Sequence, residues 1–433
     1  MFPLHDRTRR RIVLAAFGAF GVLPTLLILL WGLSRQTPWH TMAAARRLEN
    51  VLGLRVRMDR VRNTRPGVWR YERLSIFDPE TGQTILSCEQ LDVAYTGHGS
   101  DAPATLVLRA RRPVGADSAT AVLYQVLSRA MQGQMGPSPL DVRWTADELT
   151  LGEGERAIRL AGFSGGTQSH PAGVQAQLQF RLADGAGAGA EPAHIEILRN
   201  RQASPADLEL KLYTGAVALP CRLLAVGLPA LGPLGPQSQF RGYLQADRTP
   251  QGWRGELTGY FSDVDLGRIV RERFAQHLTG AGQVTVERVR FNGGRVEEAW
   301  GSATIGPGTI SRRLLDAAVE QMGLIQNAPP TDRDDPLAYR QLAANWRLSA
   351  DGLSIQGRCP AAGPGTLLAG TEPWQIGEPV AQPVPVAALV RTLVPDGLPE
   401  VPAAPQTAWL LRHLPLPESD HEAADRRAAA KMR

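Results

Sequence analysis

Residues 283–305 read QVTVERVRFNGGRVEEAWGSATI, two short runs divided by Asn292-Gly293-Gly294. That trio supplies the positive-φ positions a tight reversal needs, so Gln283–Phe291 and Val296–Ile305 are expected to form a β-hairpin. The flanking sequence carries the pattern both ways. Phe240–Ala246 and Trp253–Phe261 read as strands before it, and Trp346–Ala350 and Leu353–Gly357 as a later hairpin around Asp351-Gly352. Further upstream, Val174–Leu182 alternates apolar residues with Gln175, Gln177, Gln179 and Arg181. Leu208, Leu210 and Leu212 alternate with Glu209 and Lys211. A period of two gives each strand one apolar and one polar face.

The first hundred residues repeat this grammar. His40–Leu52 reads as a short helix with Ala44, Leu48, Val51 and Leu52 on one side and Gly53 as its C-cap. Leu54, Val56 and Met58 then alternate with Arg55, Arg57 and Asp59, and strands are expected at Leu74–Phe77, Ile85–Cys88 and Leu91–Tyr95. Later helices are expected at Asp117–Gln132, Asp265–His277, Ile310–Met322 and Val386–Leu393, with a short helix or turn at Leu219–Gly227. Gly162–Gly166 and Gly185–Gly189 read as turns. The fold class is therefore mainly β with a few short amphipathic helices. The apolar faces are covered either by packing sheets as sandwiches or by curling one long antiparallel sheet into a groove. At about 4.8 Å per strand, some 15 strands would make a sheet about 70 Å long.

One stretch departs from this alternation. Ile12–Leu33, IVLAAFGAFGVLPTLLILLWGL, holds no ionisable side chain and is long enough to span a bilayer as one helix, kinked at Pro24. Arg7, Arg9, Arg10 and Arg11 precede it, which by the positive-inside rule leaves the N-terminus in the cytosol and exports the rest to the periplasm. As a cleaved signal peptide it would have an unusually long apolar core, and the nearest small-residue site, Ala43–Ala45, lies well beyond that core. A retained single-pass inner-membrane anchor is the expectation.

A net charge of +5 is mild for 433 residues, and no basic run interleaved with aromatics follows the anchor, so nucleic acid is not an expected partner. Lys211 and Lys431 are the only lysines; a phosphate-binding surface or a codon bias would each explain the arginine preference, and codon bias is the favoured reading. Cys88, Cys221 and Cys359 are an odd set in apolar or turn-like contexts and read as buried or half-buried thiols.

Catalytic patterns are sparse. Gly162-Phe163-Ser164-Gly165-Gly166 fits G-x-S-x-G, with Asp184 and His194 following in hydrolase order. A nucleophile elbow needs a buried strand leading into a helix, whereas Thr167–Gly173 is turn-like, so Ser164 reads as part of a turn. The histidines His5, His40, His98, His170, His194, His277, His413 and His421 form no metal-ligand pair. His277 is expected at a helix C-terminus, and Asp263 and Asp265 as helix caps. No catalytic, cofactor or metal site is assigned, and no cofactor is expected.

Two stretches carry a family resemblance. The first is the anchor and helix followed by LGLRVRMDRVR, Pro66-Gly67, LSIFDPETG and LDV. The second is FRGYL, WRGELTGYFSDVDLGRIV, LTGAGQVTVERVRFNGGRVEEAWG and GTISRRLL. Together they cover about 150 residues and resemble the AsmA-like envelope proteins, relatives of the TamB-type group built from a repeating β-groove. The resemblance implies lipid handling or outer-envelope assembly through a hydrophobic groove, with membrane lipids and envelope proteins as partners. It designates no individual binding residue. The expected organisation is a cytosolic segment and anchor (1–35), a helix and β-meander (36–100), a β-rich middle (101–236) and a β/α module (237–325). A linker (326–345), a hairpin (346–360) and a Pro-rich, charged tail (361–433) complete it. The expected function is a non-enzymatic, membrane-anchored lipid-binding groove; the alternative is a tethered β-sandwich that docks envelope partners.

Overall fold

The structure is a computed structural model that describes residues 6–415 apart from 35–37, 53, 79–81, 97–104, 116–140, 153–156, 184–190, 201, 203–206, 226–227, 251, 272–273, 275, 328–335, 361, 372, 395–408 and 411. The helix expected over Asp117–Gln132 and the turn at Gly185–Gly189 lie outside the described residues. The protein is mainly β, and its chain forms two compact units, Met1–Ile158 and Arg159–Arg433.

In the first unit, no described helix is long and apolar enough to cross a membrane. The single helix expected over Ile12–Leu33 is instead divided into α1 (Asp6–Phe17), a π-helical stretch (Gly18–Val22) and α2 (Leu23–Ser34). Pro24 explains the division. It has no N–H to donate and its ring clashes with the carbonyl one turn back, so the ladder widens just before it. The Leu23 N–H reaches back to the Gly18 carbonyl, and Thr25 Oγ1 donates to the Gly21 carbonyl at 2.6 Å. Helical dihedrals at Phe17 and Leu23 carry the chain through both junctions.

α3 (Pro38–Leu52) follows, close to the expected bounds, and packs on a sheet that begins with β1 (Arg55–Arg57) and β2 (Arg60–Arg65). The remaining strands of this unit are β3 (Val68–Phe77), β4 (Thr84–Thr96), β5 (Thr105–Arg111), β6 (Val114–Gly115) and β7 (Asp141–Leu151). β1 and β2 both pair antiparallel with β3, β3 with β4, and β4 with β5 and β6. The last two run parallel to β7. Between β1 and β2 the ladder is interrupted opposite Arg73, whose φ is +52° and whose guanidinium pairs with Asp59 at 2.7 Å. The two strands expected within 85–95 are one continuous strand, β4. Glu89 and Gln90 break the apolar alternation there; the ladder to β3 skips Glu89, opposite Arg73, and resumes in the same register at Gln90.

Arg70 and Asp92 face each other across β3 and β4 in a two-pronged ion pair, with contacts of 2.7 and 2.9 Å. The Arg70 hydrogen bond holds the Asp92 carboxyl below its ordinary range, reinforced by Gln90. A depressed carboxylate stabilises the fold above its unfolded value, near 3.9, and that contribution fades as pH falls below it. Asp92→Asn is therefore expected to cost about 0.2–1 kcal/mol at neutral pH, a surface-pair magnitude. Its urea midpoint is expected to converge on that of the parent chain under acid conditions.

The second unit is an antiparallel meander with two compact insertions. It opens with β8 (Ile158–His170), most of which lies in this unit, and continues with β9 (Gly173–Leu182), β10 (Ala193–Asn200) and β11 (Asp207–Tyr213). β12 (Leu219–Pro220), α4 (Cys221–Leu224) and a 3₁₀ turn (Pro229–Leu234) lead into the long strands β13 (Gln239–Thr249) and β14 (Gly252–Asp265). After α5 (Leu266–Arg271) come β15 (Ala281–Asn292), β16 (Arg295–Ile305) and β17 (Gly308–Ile310). α6 (Arg312–Met322), β18 (Leu324–Asn327), β19 (Leu337–Ser349) and β20 (Gly352–Gly357) follow. β21 (Thr366–Gly370), β22 (Gln375–Pro379) and α7 (Val386–Leu393) end the series. The main ladder runs β8–β9–β10–β11–β13–β14–β15–β16–β19, after which β19 pairs with both β20 and β21, and β22 joins β21 to β18. Among the described residues no ladder joins β8 to β22.

The hairpin at Asn292-Gly293-Gly294 forms as expected, with φ of +61° at Gly293 and +83° at Gly294. α6 begins where Ser311 Oγ accepts from the Leu314 N–H and ends at Gly323, which adopts the left-handed conformation. Its Leu314 and Leu315 pack on Leu337, Tyr339, Leu368 and Trp374, the main core of the unit. The helix expected over Asp265–His277 ends at Arg271 instead. The following chain is drawn to β17, where Leu278 bridges Ile310 and His277 Nε2 shares a hydrogen bond of 2.9 Å with Thr309 Oγ1. The Pro-rich sequence after Pro360 contributes β21 and β22. Every residue of β21 is buried, so no polar alternation marks it as a strand.

Candidate functional site

Register determines which side chains share a face. Leu178 on β9 stands opposite Ile195 on β10, which faces Leu212 on β11, which faces Leu244 on β13. The same row continues through Leu257, Val289, Ala299, Leu348 and Leu353 on β14, β15, β16, β19 and β20. A second row beside it runs Ala176, Ile197, Leu210, Ala246 and Gly255 to Phe291. One face of this sheet is thus an apolar strip nine strands wide. Pairing at these positions brings Cβ atoms to about 5 Å, so the alkyl groups form a continuous surface.

The opposite face is ionic. Gln177, Glu196, Lys211, Gln245, Glu256 and Arg290 occupy one row of it. Lys211 pairs with Glu209 at 2.7 Å, Arg288 with Glu256 at 2.7 Å and Arg347 with Glu298 at 2.8 Å. Arg288 and Arg347 both lie over the Trp300 ring, 5.8 and 5.9 Å from its centroid. Such a face is at home in water, which leaves the apolar face as the one requiring cover.

That cover is uneven. Toward β20, Leu353 packs with Met322 of α6 and with Val384, with Ala388 and Leu389 of α7 against them. Leu212 and Leu244 are buried, whereas Leu178, Ile195, Leu257, Val289 and Leu348 are only half-buried. Glycines let aromatic rings lie on the strip: Gly242 faces Gly259 across β13 and β14, and the Phe240 ring covers both. A Cβ on Gly259 would fall 2.7 Å from Phe240 Cε2 and 2.5 Å from the Arg241 carbonyl oxygen.

In the first unit a cleft of about 1060 Å³ opens between α3 and β1–β2, with His40, Arg57, Arg60, Arg62 and Trp69 among its walls. A shallower depression of about 570 Å³ lies beside Trp300 and Arg347.

The hydrolase-like residues do not assemble. Ser164 lies within β8, not in a turn: Gly162, at φ +59°, bulges the strand, and pairing resumes with Ser164 opposite Gln179. His194 stands opposite Gln179 on the far side, so Ser164 and His194 are two strands apart, about 10 Å. That exceeds hydrogen-bond reach for a base. Asp184 lies outside the described residues. Asp265 caps α5 through Oδ1 to the Arg268 N–H at 3.1 Å, while Asp263 sits at a bulge with φ of +54°. No group of metal-ligating side chains exists among the described residues.

Cys88, Cys221 and Cys359 are buried free thiols, all pushed up by burial, Cys88 to about 11. A thiol reagent such as DTNB is expected to leave all three unmodified in the folded protein at pH 8 and to titrate three per chain in denaturant. Rapid labelling of any one in the native chain contradicts its burial.

Comparison of the chain with protein-family models, curated proteins and solved structures finds no match.

Proposed function

We propose that this chain is a non-enzymatic, single-pass inner-membrane protein whose exported β-rich body holds lipid acyl chains along the apolar face of its second unit. The in-register row from Leu178 to Leu353, half-buried at five of its positions on a sheet whose opposite face is ionic, carries the proposal. Each Å² of alkyl surface withdrawn from water there contributes about 25 cal/mol, so an acyl chain lying across several strands binds without specific polar contacts. The resemblance to AsmA-like envelope proteins supports the same use of such a face.

For the anchor, α1, the π-helical stretch and α2 act together. End to end they make a helical rod about 40 Å long at 1.5 Å per residue. Val13, Leu14, Phe17, Phe20, Leu23, Leu26, Leu27, Ile28 and Leu29 present half-exposed or more exposed apolar side chains around it. A π-bulge leaves no backbone group unsatisfied by more than a shifted partner, so it is compatible with hydrocarbon. The Arg-rich start then stays cytosolic. A docking module is the second reading, favoured at one end of the sheet by the packed cluster of Met322, Leu353 and Val384.

The test uses the detergent-purified full chain. Mass spectrometry is expected to find phospholipid retained through delipidating washes, and a fluorescent acyl-chain phospholipid is expected to bind saturably. A chain with neither retained lipid nor saturable uptake rules out the groove.

A further inference from the structure

The geometry points to a second lipid contact in the first unit: the cleft between α3 and β1–β2 binds the phosphodiester of an anionic phospholipid headgroup. This rests on the membrane-anchored reading above and adds to it a headgroup site separate from the acyl-chain face.

Charge balance in the cleft is the first argument. Of its charged wall residues, Asp59 is engaged by Arg73 at 2.7 Å and Arg62 by Glu72 at 3.3 Å. Arg57 and Arg60 have no carboxylate partner among the described residues, and both side chains are exposed. Two uncompensated guanidiniums on successive short strands along the same edge of β3 match a phosphate, whose oxygens accept paired N–H donors.

A second, independent observation is His40. Its Nδ1 is sealed from solvent and has no hydrogen-bond partner, although the residue lies on the cleft and its ring sits 6.1 Å from that of Trp69. The residue as a whole is only half-buried, so turning the ring toward the cleft brings that nitrogen to a phosphate oxygen, which supplies the missing partner to its N–H tautomer. The cleft is held open by packing that does not involve these groups. Leu48 of α3 is buried, and Glu49 Oε1 accepts the Val56 N–H at 3.0 Å, tying the helix to β1.

Chain length argues for a membrane lipid as the source of that phosphate. Three residues separate Ser34 at the end of α2 from Pro38 at the start of α3, a span of at most about 14 Å. Trp39 and Met42, on the first turn of α3, are 79% and 53% exposed, as apolar side chains are at a bilayer interface. The cleft is therefore tethered at headgroup depth.

The experiment titrates the full chain in nonionic detergent with dihexanoyl phosphatidylglycerol, following tryptophan fluorescence, with sodium phosphate as a separate titrant. Saturable binding of the lipid is expected, weakened at least tenfold in Arg57→Gln/Arg60→Gln and several-fold in His40→Phe. Uptake of the long-chain fluorescent phospholipid by the double variant is expected to stay unchanged. Equal binding by parent and double variant overturns the headgroup site, and so does sodium phosphate binding as tightly as the lipid. Loss of long-chain uptake in the parent chain, with the arginine-dependent titration intact, counts against the acyl-chain face alone.

Discussion

Replacing Phe240 with alanine is expected to lower the unfolding free energy by about 3–5 kcal/mol, the range for removing a large buried aromatic. The ring is 1% exposed, its centroid is 4.8 Å from that of Phe261, and it lies on the Gly242–Gly259 pair. The two glycines beneath the ring have no side chains with which to fill the space it leaves. Restoring volume from below fails as well: even with the ring gone, a Cβ on Gly259 falls 2.5 Å from the Arg241 carbonyl oxygen, so Gly259→Ala destabilises rather than rescues. Chemical denaturation of the two variants checks this, and a loss below about 1 kcal/mol for Phe240→Ala contradicts the packing described.

The second large effect concerns binding. Leu257 and Val289 face each other across β14 and β15 in the middle of the apolar row, and both are half-buried. Leu257→Asp/Val289→Asp places two carboxylates where an acyl chain would lie. Their partial exposure lets them hydrate while the face is empty; covering them with hydrocarbon strips that water away. An uncompensated buried charge costs several kcal/mol, which corresponds to a loss of acyl-lipid binding of at least a hundredfold. Circular dichroism and a cooperative melt establish that the double variant folds. Thr258→Asp, one position along β14 and on the ionic face, is expected to bind as the parent does.

Much of this architecture is legible in local sequence, for identifiable reasons. The hairpin at Gly293-Gly294 and the ends of α6 are marked by residues whose backbone or side-chain chemistry acts within a turn of chain. Strands such as β9 and β11 declare themselves because one face meets water. β2 escapes detection because Val61 is its sole hydrophobic residue, and β21 because it is buried on both faces. α5 stops short of His277 for a long-range reason, the attraction of Leu278 and His277 to β17 some thirty residues later.

The candidate site is a property of register, which no local pattern contains. Leu178 and Leu353 each alternate correctly within their own strands, yet their membership of one row follows only from eight successive ladders. Pro24 marks a kink in Ile12–Leu33, but the widened ladder at Gly18–Val22 upstream of it depends on where the freed carbonyls find donors. The basic cleft is likewise invisible in composition: Arg57 and Arg60 differ from Arg62 only in lacking a partner across the sheet.

Consecutive residues on β14 offer the most direct test of the acyl-chain face. A photo-activatable amino acid placed at Leu257 or at Thr258 in the full chain, irradiated in intact cells, probes the two faces from neighbouring positions. Adducts of lipid mass are expected at position 257 and not at 258. Equal adducts at both positions, or none at 257, contradict the groove.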